Sequence, residues 1–420
     1  RMEDAILLGE LNNPPFVSFF NFTGPSASDI LYATPSDVHQ FAGWPMNGNA
    51  TLTFDPATHL PISGSPVTLN GIQHNLPTPY TYRYSLLAQY DVGHNWIATV
   101  GYQGSQSRHF TRQENLNWNF TPLNSQVNNL FFWTNDVNSN YNALLAEIQH
   151  HFSNTFEIDT QYTFSKSMDD GSFDYNIGDY PFDRRLEYGP SDFDATHSLK
   201  VWGIWSPRIF KGENNWKEKV IGGWTLSGIW TLHSGFPWTP QYNVQVLNSP
   251  GGNTCSLIYP GSGYCTVRPG AYLGGAGKDF SNSTFEKQLG NFPNGPDTYF
   301  APPVLAASGI PAAPGIDRNT FRGPRYSSVD FTLGKAFGFP HIPGLGERAK
   351  LDLRANFYNL FNQVNFAALP NQTIGTIQLD ALTGIQTNPT AANGLANKTF
   401  GQAQNGLAGR VIEVQARFSF

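Results

Sequence analysis

Three groupings of residue types in this sequence invite chemistry. The densest is acidic: Asp169, Asp170, Asp174, Asp179, Asp183, Glu187, Asp192 and Asp194 share one stretch, with Arg184 and Arg185 among them. Carboxylates are hard oxygen ligands and calcium is one use for them, but their spacing follows no EF-hand loop. An external, solvated loop with arginine-paired acids is the reading the spacing favours. The second grouping is Cys255 and Cys265, the only two cysteines, in a Gly/Pro-rich stretch. Such local spacing suits a disulfide closing a loop in an oxidising compartment, the alternative being two unpaired thiols. A zinc site would need two more ligands, and no further Cys or His is near. The third is His150 beside His151. Adjacent strand residues point to opposite faces, so this pair does not readily share one metal. No HExxH, GxSxG, P-loop or GxGxxG stands in a usable context. No catalytic residue, cofactor site or metal site is expected, and the chain is not read as an enzyme.

The elements that would position these residues are set by composition and period. Of 420 residues, 13% are charged, about half of the roughly 25% common in soluble domains. Aromatics reach 14%, and 41 Gly and 30 Pro supply many breakers. A charge-poor soluble chain should hold a large apolar core, yet only 40% of residues are hydrophobic and mean hydropathy is −0.34. This mixture speaks against coiled coils, helical bundles and spanning helices. A net charge of −6 without a basic run speaks against nucleic-acid binding.

The informative signal is alternation with period two. In 410–420, Ile412, Val414, Ala416, Phe418 and Phe420 share one face, while Glu413, Gln415, Arg417 and Ser419 share the other. The same grammar marks 79–90, 95–104, 142–152, 155–166, 197–206, 222–234, 327–336 and 349–358. Strands of about ten residues exceed the usual 5–6 and match the roughly 9–11 needed for a tilted bilayer crossing. Aromatics gather toward their ends (Tyr80, Tyr90, Trp96, Tyr102, Phe156, Phe164, Trp224, Phe418, Phe420), as interfacial girdles require. A soluble sandwich also alternates, but strand length and charge placement favour the membrane.

The expected fold is therefore an all-β, transmembrane, antiparallel up-and-down barrel, present in part, with nine or ten strands. Its apolar faces meet lipid, and the charges Arg83, Glu157, Asp159, Lys350, Asp352, Arg354, Glu413 and Arg417 face the lumen as cross-strand pairs. With Phe420 at the periplasmic end, counting back puts 105–138, 167–196, 235–326 and 361–407 outside as long extracellular loops. Residues 1–78 become a strand remnant plus a long extracellular loop, and 79–420 the barrel portion. External aromatics such as Phe16, Trp44, Trp118, Phe131, Phe132, Trp133 and Tyr175 suit glycan or peptide binding, or simply pack on one another. The opening RMEDAILLGELNNPPF shows no signal peptide, and the chain is expected to be part of a longer protein.

Several stretches carry a resemblance: NPPF at 13–16, YNALLAEIQHHFS at 141–153, YTFSKSMDD at 162–170 and RRLEYGPSDFDATHSL at 184–199. GGWTLSGIWTLHSGFPWTP at 222–240, RNTFRGPRYSSVDFTLGKAF at 318–337 and LRANFYNLFNQVNF at 353–366 continue it in order. Together they make the chain resemble the C-terminal barrel portion of a TonB-dependent outer-membrane receptor, of the type with a carboxypeptidase-regulatory-like domain common in Acidobacteria. The resemblance implies a 22-stranded barrel with an N-terminal plug and a TonB box, neither of which this sequence matches. It implies a receptor and transporter in the bacterial outer membrane. This portion would contribute substrate capture and part of the translocation path, for a siderophore, glycan or peptide. The implied partners are membrane lipid, the plug, TonB and the barrel-assembly machinery, the last reading Val414, Ala416, Phe418 and Phe420. A passive porin or surface adhesin is the first alternative, and a secreted soluble β-rich binding protein the second.

Overall fold

The structure is a computed structural model that describes residues 53–54, 61–63, 67–115, 127–153, 155–172, 183–207, 221–247, 264–273, 299–302, 313–339, 349–366, 372–380, 397, 399–403 and 405–419. Nine strands form its wall: β1 (Tyr80–Gly93), β2 (Trp96–Asn115), β3 (Val127–Ser153), β4 (Phe156–Asp169), β5 (His197–Trp205), β6 (Trp224–His233), β7 (Tyr326–Gly338), β8 (Lys350–Tyr358) and β9 (Val411–Ser419). Each pairs antiparallel with its neighbour in chain order, a pure meander. Every stretch read as alternating is one of these strands. The β1–β2 reversal is tight. Gly93, His94 and Asn95 all take positive φ, and the Asp91 carboxylate accepts the Gly93 N–H at 2.8 Å.

Register decides which face each residue occupies, because a one-residue slip would exchange the faces. One hydrogen-bonded row runs Trp96, His150, Ile158, Gly203, Gly228, Phe331, Phe357, Ile412 across eight strands. It contains no Asp, Glu, Lys or Arg. An alternate row runs Gln89, Thr99, Glu147, Gln161, Lys200, Thr231, Ser328, all polar. The first row starts near one end of β2 and finishes near the opposite end of β9, the slant that strand tilt gives a barrel wall.

The apolar face has no second layer among the described residues. Leu86 is 77% exposed and Val414 78%, and Tyr82, Tyr90, Val100 and Ile412 are also exposed. Oily side chains spread over a whole sheet face and left uncovered in the chain's own fold need hydrocarbon around them. No described helix is long and apolar enough to cross a membrane, and these strands do the crossing. Lys335 is the one charged residue that the register places on this face of β7. It sits near the end that β7 shares with the short connections, its Nζ 5.1 Å from the ring centres of Trp224 and Phe337, and it donates to the Gly222 carbonyl. The ammonium snorkels toward the polar boundary between two aromatic rings.

Two strands run longer than the alternation suggests. β2 has 20 residues and β3 has 27, about two and two and a half times the roughly 9–11 a crossing takes. Their outer parts, within 105–138, are rich in Ser, Gln, Asn and Thr on both faces and still pair, Arg112 lying opposite Thr134. On the far side of β3, Val67–Ile72 adds a short parallel strand. The other long connections also hold strands. Gln241–Leu247 pairs antiparallel with Tyr264–Val267 and parallel with Thr373–Asp380, so the β6–β7 and β8–β9 connections share a sheet.

Candidate functional site: a folded cap and its ion-pair lattice

All the long connections leave the same end of the wall. Among the described residues, those of the β6–β7 and β8–β9 connections form the largest buried apolar cluster, while the wall's buried apolar side chains are few and lie mainly in β3. Trp238, Tyr242, Val267, Phe300, Ile316, Phe321, Ile374, Ile377 and Phe400 pack into one cluster. Phe300 meets Phe321 and Phe400 edge-on, with centroids 5.5 Å apart in both cases. These are favoured quadrupole geometries. The Tyr242 hydroxyl donates to the Phe300 carbonyl at 2.7 Å. Among the described residues hydrophobic burial is thus concentrated in these connections, and it makes a cap out of stretches that alternate too poorly to announce strands.

Two backbone crossings fix the cap. A Cβ on Gly235 would stand 1.8 Å from the Gly323 carbonyl oxygen, and one on Gly315 would stand 1.7 Å from that of Gly270. Both obstacles are main chain and cannot swing aside. Gly235→Ala is expected to lower cap stability by about 1–3 kcal/mol, the usual range for overpacking. Faster proteolysis of the cap in intact outer membranes, with wall assembly unchanged, is the readout.

The acidic stretch lies where the cap meets the wall. Asp169 ends β4, and Glu187, Asp192 and Asp194 follow on the β4–β5 connection. Their partners come from far along the chain. Arg268 meets Glu187 at 2.7 Å with both side chains almost fully buried, and it also donates to the Leu186 carbonyl at 2.8 Å. Arg318 binds Asp169 and reaches Asp192 at 3.5 Å. Arg322 binds Asp194, whose other oxygen accepts the Ser167 N–H at 2.6 Å. Asn319, in the left-handed conformation, donates to Asp192 and to the Pro190 carbonyl, both at 2.7 Å. On the β2–β3 side, Asp136 joins Arg112 at 2.9 Å and Arg184 at 3.0 Å, and Arg184 lies 3.7 Å from Asp170. Buried charges persist only when paired, and here each of these carboxylates meets a guanidinium, Arg184 and Arg318 serving two apiece. Among the described residues no group of three or more His, Cys, Asp or Glu is arranged to hold a metal. Asp174 and Asp179 lie outside the described residues.

Asp183 opens the short 3-10 turn Arg184–Glu187 that delivers Glu187 to Arg268. Hydrogen bonds from the Arg185 side chain, then from its backbone N–H, hold the Asp183 carboxyl below the ordinary 3.8, as does the guanidinium's charge. A carboxyl lowered by folding contributes stability that is present above 3.8 and lost as pH falls through its lower folded value. The turn is therefore expected to loosen only below about pH 4, the ordinary aspartate range, followed by NMR of the carboxyl carbon. Asp183→Asn should flatten that response.

The sequence-predicted residues fall as follows. Arg83, Glu157, Asp159, Lys350, Asp352, Arg354, Glu413 and Arg417 all occupy the face opposite the apolar one. Asp352 stands opposite Arg417, but its ion pair is with Lys350 two residues away, at 3.2 Å. Arg354 faces Gln415, and Glu413 faces Asn356. Asp159 is buried between Gln149 and Trp202, accepting from the Gln161 amide at 3.3 Å. Val414, Ala416 and Phe418 lie on the apolar face of β9, opposite Ala355, Leu353 and Leu351. Cys265 lies in the cap strand opposite Val244, whereas Cys255 and Phe420 lie outside the described residues. His150 is buried between Trp96 and Phe156, its ring stacked 4.2 Å from Phe156, while His151 is exposed. Phe131 and Trp133 are buried in β3 and offer no open aromatic platform. Of the external aromatics named above, Phe16, Trp44, Trp118 and Tyr175 lie outside the described residues. Sequence reasoning missed Arg112, Arg268, Arg318 and Arg322. The available signal was scarcity: a chain with 25 basic residues that places two of them in RNTFR commits charge deliberately.

A one-sided oily wall, a polar inner face and a folded external cap define an integral outer-membrane β-barrel protein. The outer membrane beta barrel domain model matches residues 2–413, and the chain belongs to that family. Its place is the bacterial outer membrane. No curated protein matches it significantly. Among solved structures it is similar to the outer membrane transporter YddB from Escherichia coli, at 10% identity and TM-score 0.39, covering 85% of this chain and 34% of that one. It is also similar to the copper transporter OprC, at 9% identity and TM-score 0.32, covering 82% and 32%. The ferripyoverdine receptor of Pseudomonas aeruginosa, bound to ferripyoverdine, gives 10% identity and TM-score 0.35, covering 81% and 27%. The chain thus spans about a third of the length of these structures. These superpositions are loose, and the assignment rests on the family match and the strand register.

Proposed function

We propose that the chain is the barrel-and-cap portion of a TonB-dependent receptor, a non-enzymatic transporter that captures its ligand on the cap and passes it along the polar inner face. The observation that carries this reading is the cap itself. A passive pore needs open loops, whereas these connections fold around a common aromatic core and are clamped to the β4–β5 connection and the end of β4 by buried ion pairs. A rigid, preorganised external surface suits capture. The polar inner rows suit passage and contact with a plug. Both outer strands, β1 and β9, present edges without a partner among the described residues. In hydrocarbon those backbone groups require pairing, which supports a larger closed barrel. The motif order along 13–366 supports the receptor type with the carboxypeptidase-regulatory-like domain. The alternate apolar residues of β9 support recognition by the barrel-assembly machinery.

The test is uptake by cells carrying the intact receptor, screened with siderophores, glycans and peptides. Uptake should stop when TonB is deleted and when the proton-motive force is collapsed. Uptake that continues through both treatments identifies a passive pore and sinks the proposal. A Cys255–Cys265 disulfide belongs to the same reading, as a staple on the cap. Reduction is expected to expose two thiols to maleimide labelling that are silent before, and labelling without reductant would remove the staple.

A further inference from the structure

The lipid-facing wall contains a hollow. Gly203 of β5 stands directly opposite Gly228 of β6, in the middle of the apolar row. Two neighbouring residues without side chains lower the surface there, while Trp205, Trp230, Val329 and Phe331 rise around it. The resulting pocket holds about 550 Å³, inside the roughly 300–1,000 Å³ typical of small-molecule sites. Ten of its fifteen lining residues belong to the apolar side of their strands, and Glu157 is the one charged residue among the other five. It therefore opens outward, into the bilayer.

Its depth selects the occupant. Gly203 is two residues from Trp205, which closes β5 at the end bearing the short connections. The pair lies two residues from Trp205 along β5 and four from Trp224 along β6; at about 3.4 Å per residue that is roughly 7–14 Å along tilted strands, short of the midplane of a core about 30 Å thick and so in its periplasmic half. A vacant hollow at this depth would forfeit dispersion contacts on all its walls. Hydrocarbon fills it, and the leaflet at this depth is glycerophospholipid. We infer that the Gly203–Gly228 hollow is a binding site for one acyl chain of a periplasmic-leaflet phospholipid, held between Trp205 and Trp230. The two indoles make opposite ends of the trough: Trp205 is opposite Leu226, and Trp230 is opposite Val201. The Trp230 N–H is directed to Ser327 at 3.2 Å, which anchors that ring against the wall.

The experiment uses the protein extracted from outer membranes and placed in nanodiscs of phosphatidylethanolamine and phosphatidylglycerol with a trace of phospholipid bearing a mid-chain diazirine. After illumination, crosslinks are mapped by peptide mass spectrometry. The expected result is several-fold denser labelling around Gly203, Trp205 and Gly228 than around Leu86 and Val100 on the same oily face. Gly228→Leu should abolish the excess. Because a Cβ there would meet the Asp330 carbonyl oxygen at 3.2 Å, Val329→Trp provides a second filling variant that leaves both glycines intact. Even labelling over the whole face overturns the proposal. So does a protein–protein crosslink through the hollow, which would assign it to a second copy, or labelling confined to lipid A probes.

Discussion

An arginine at Leu353 stops this chain from assembling in a membrane, whereas an arginine at Asn356, three residues further on, does not. Leu353 is near the middle of β8, between Lys335 and Ala416 on the apolar face. Asn356 lies on the inner face, opposite Thr332 and Glu413. A lipid-facing arginine costs about 2–4 kcal/mol at the bilayer midplane and less toward the interfaces; at Leu353 it also stands directly opposite Lys335, and like charges facing each other across strands destabilise further, while the inner face at Asn356 offers water and a carboxylate. Against a net stability of roughly 5–15 kcal/mol, that cost delays or prevents insertion. Phe331→Arg should act like Leu353→Arg, since Phe331 shares the same face and packs against Phe357 with ring centres 6.3 Å apart. The measurement is the fraction of chain protected from protease and heat-modifiable on gels after assembly into outer membranes. Equal assembly of Leu353→Arg and Asn356→Arg would mean that the oily face does not meet lipid, and the membrane fold would fall with it.

The wall was legible because lipid imposes a strict rule on alternate residues. Leu351, Leu353, Ala355 and Phe357 could hardly announce themselves more clearly beside Lys350, Asp352, Arg354 and Asn356. That rule ends at the headgroups. Beyond them β2 and β3 remain paired strands, but water wets both faces, so Ser105, Gln106, Asn138 and Asn140 carry no period. The cap strands were hidden for a second reason. Gln241–Leu247 pairs with Thr373–Asp380 from a different connection, and no local pattern encodes a partner more than a hundred residues away. The site was half legible in the same way. The carboxylates of 169–194 cluster in sequence and were visible together. Their arginines do not: Arg268 is 81 residues from Glu187, and Arg318 is 149 from Asp169.

That division makes the Arg268–Glu187 pair the sharpest probe of the cap. Arg268→Met leaves the Glu187 carboxylate buried without its guanidinium, and breaking a buried pair by removing one partner costs about 3–5 kcal/mol. Arg185→Met provides the contrast. Its pair with Asp183 has a similar distance, 2.7 Å, but the arginine is 90% exposed, and such surface pairs contribute only about 0–1 kcal/mol. The expected result is a cap that is cleaved rapidly by added protease, with lost ligand capture, in Arg268→Met but not in Arg185→Met. Adding Glu187→Leu to Arg268→Met removes the stranded charge and should restore most of the protection. It should not restore all of it. Arg268 also donates to the Leu186 and Ile316 carbonyls, and a buried acceptor left without a donor still costs about 1–3 kcal/mol. If Arg268→Met were as protease-resistant as Arg185→Met, this ion pair would not be what holds the β6–β7 connection to the β4–β5 connection. Cap stability would then rest on the other ion pairs and the aromatic cluster around Phe300 and Phe321.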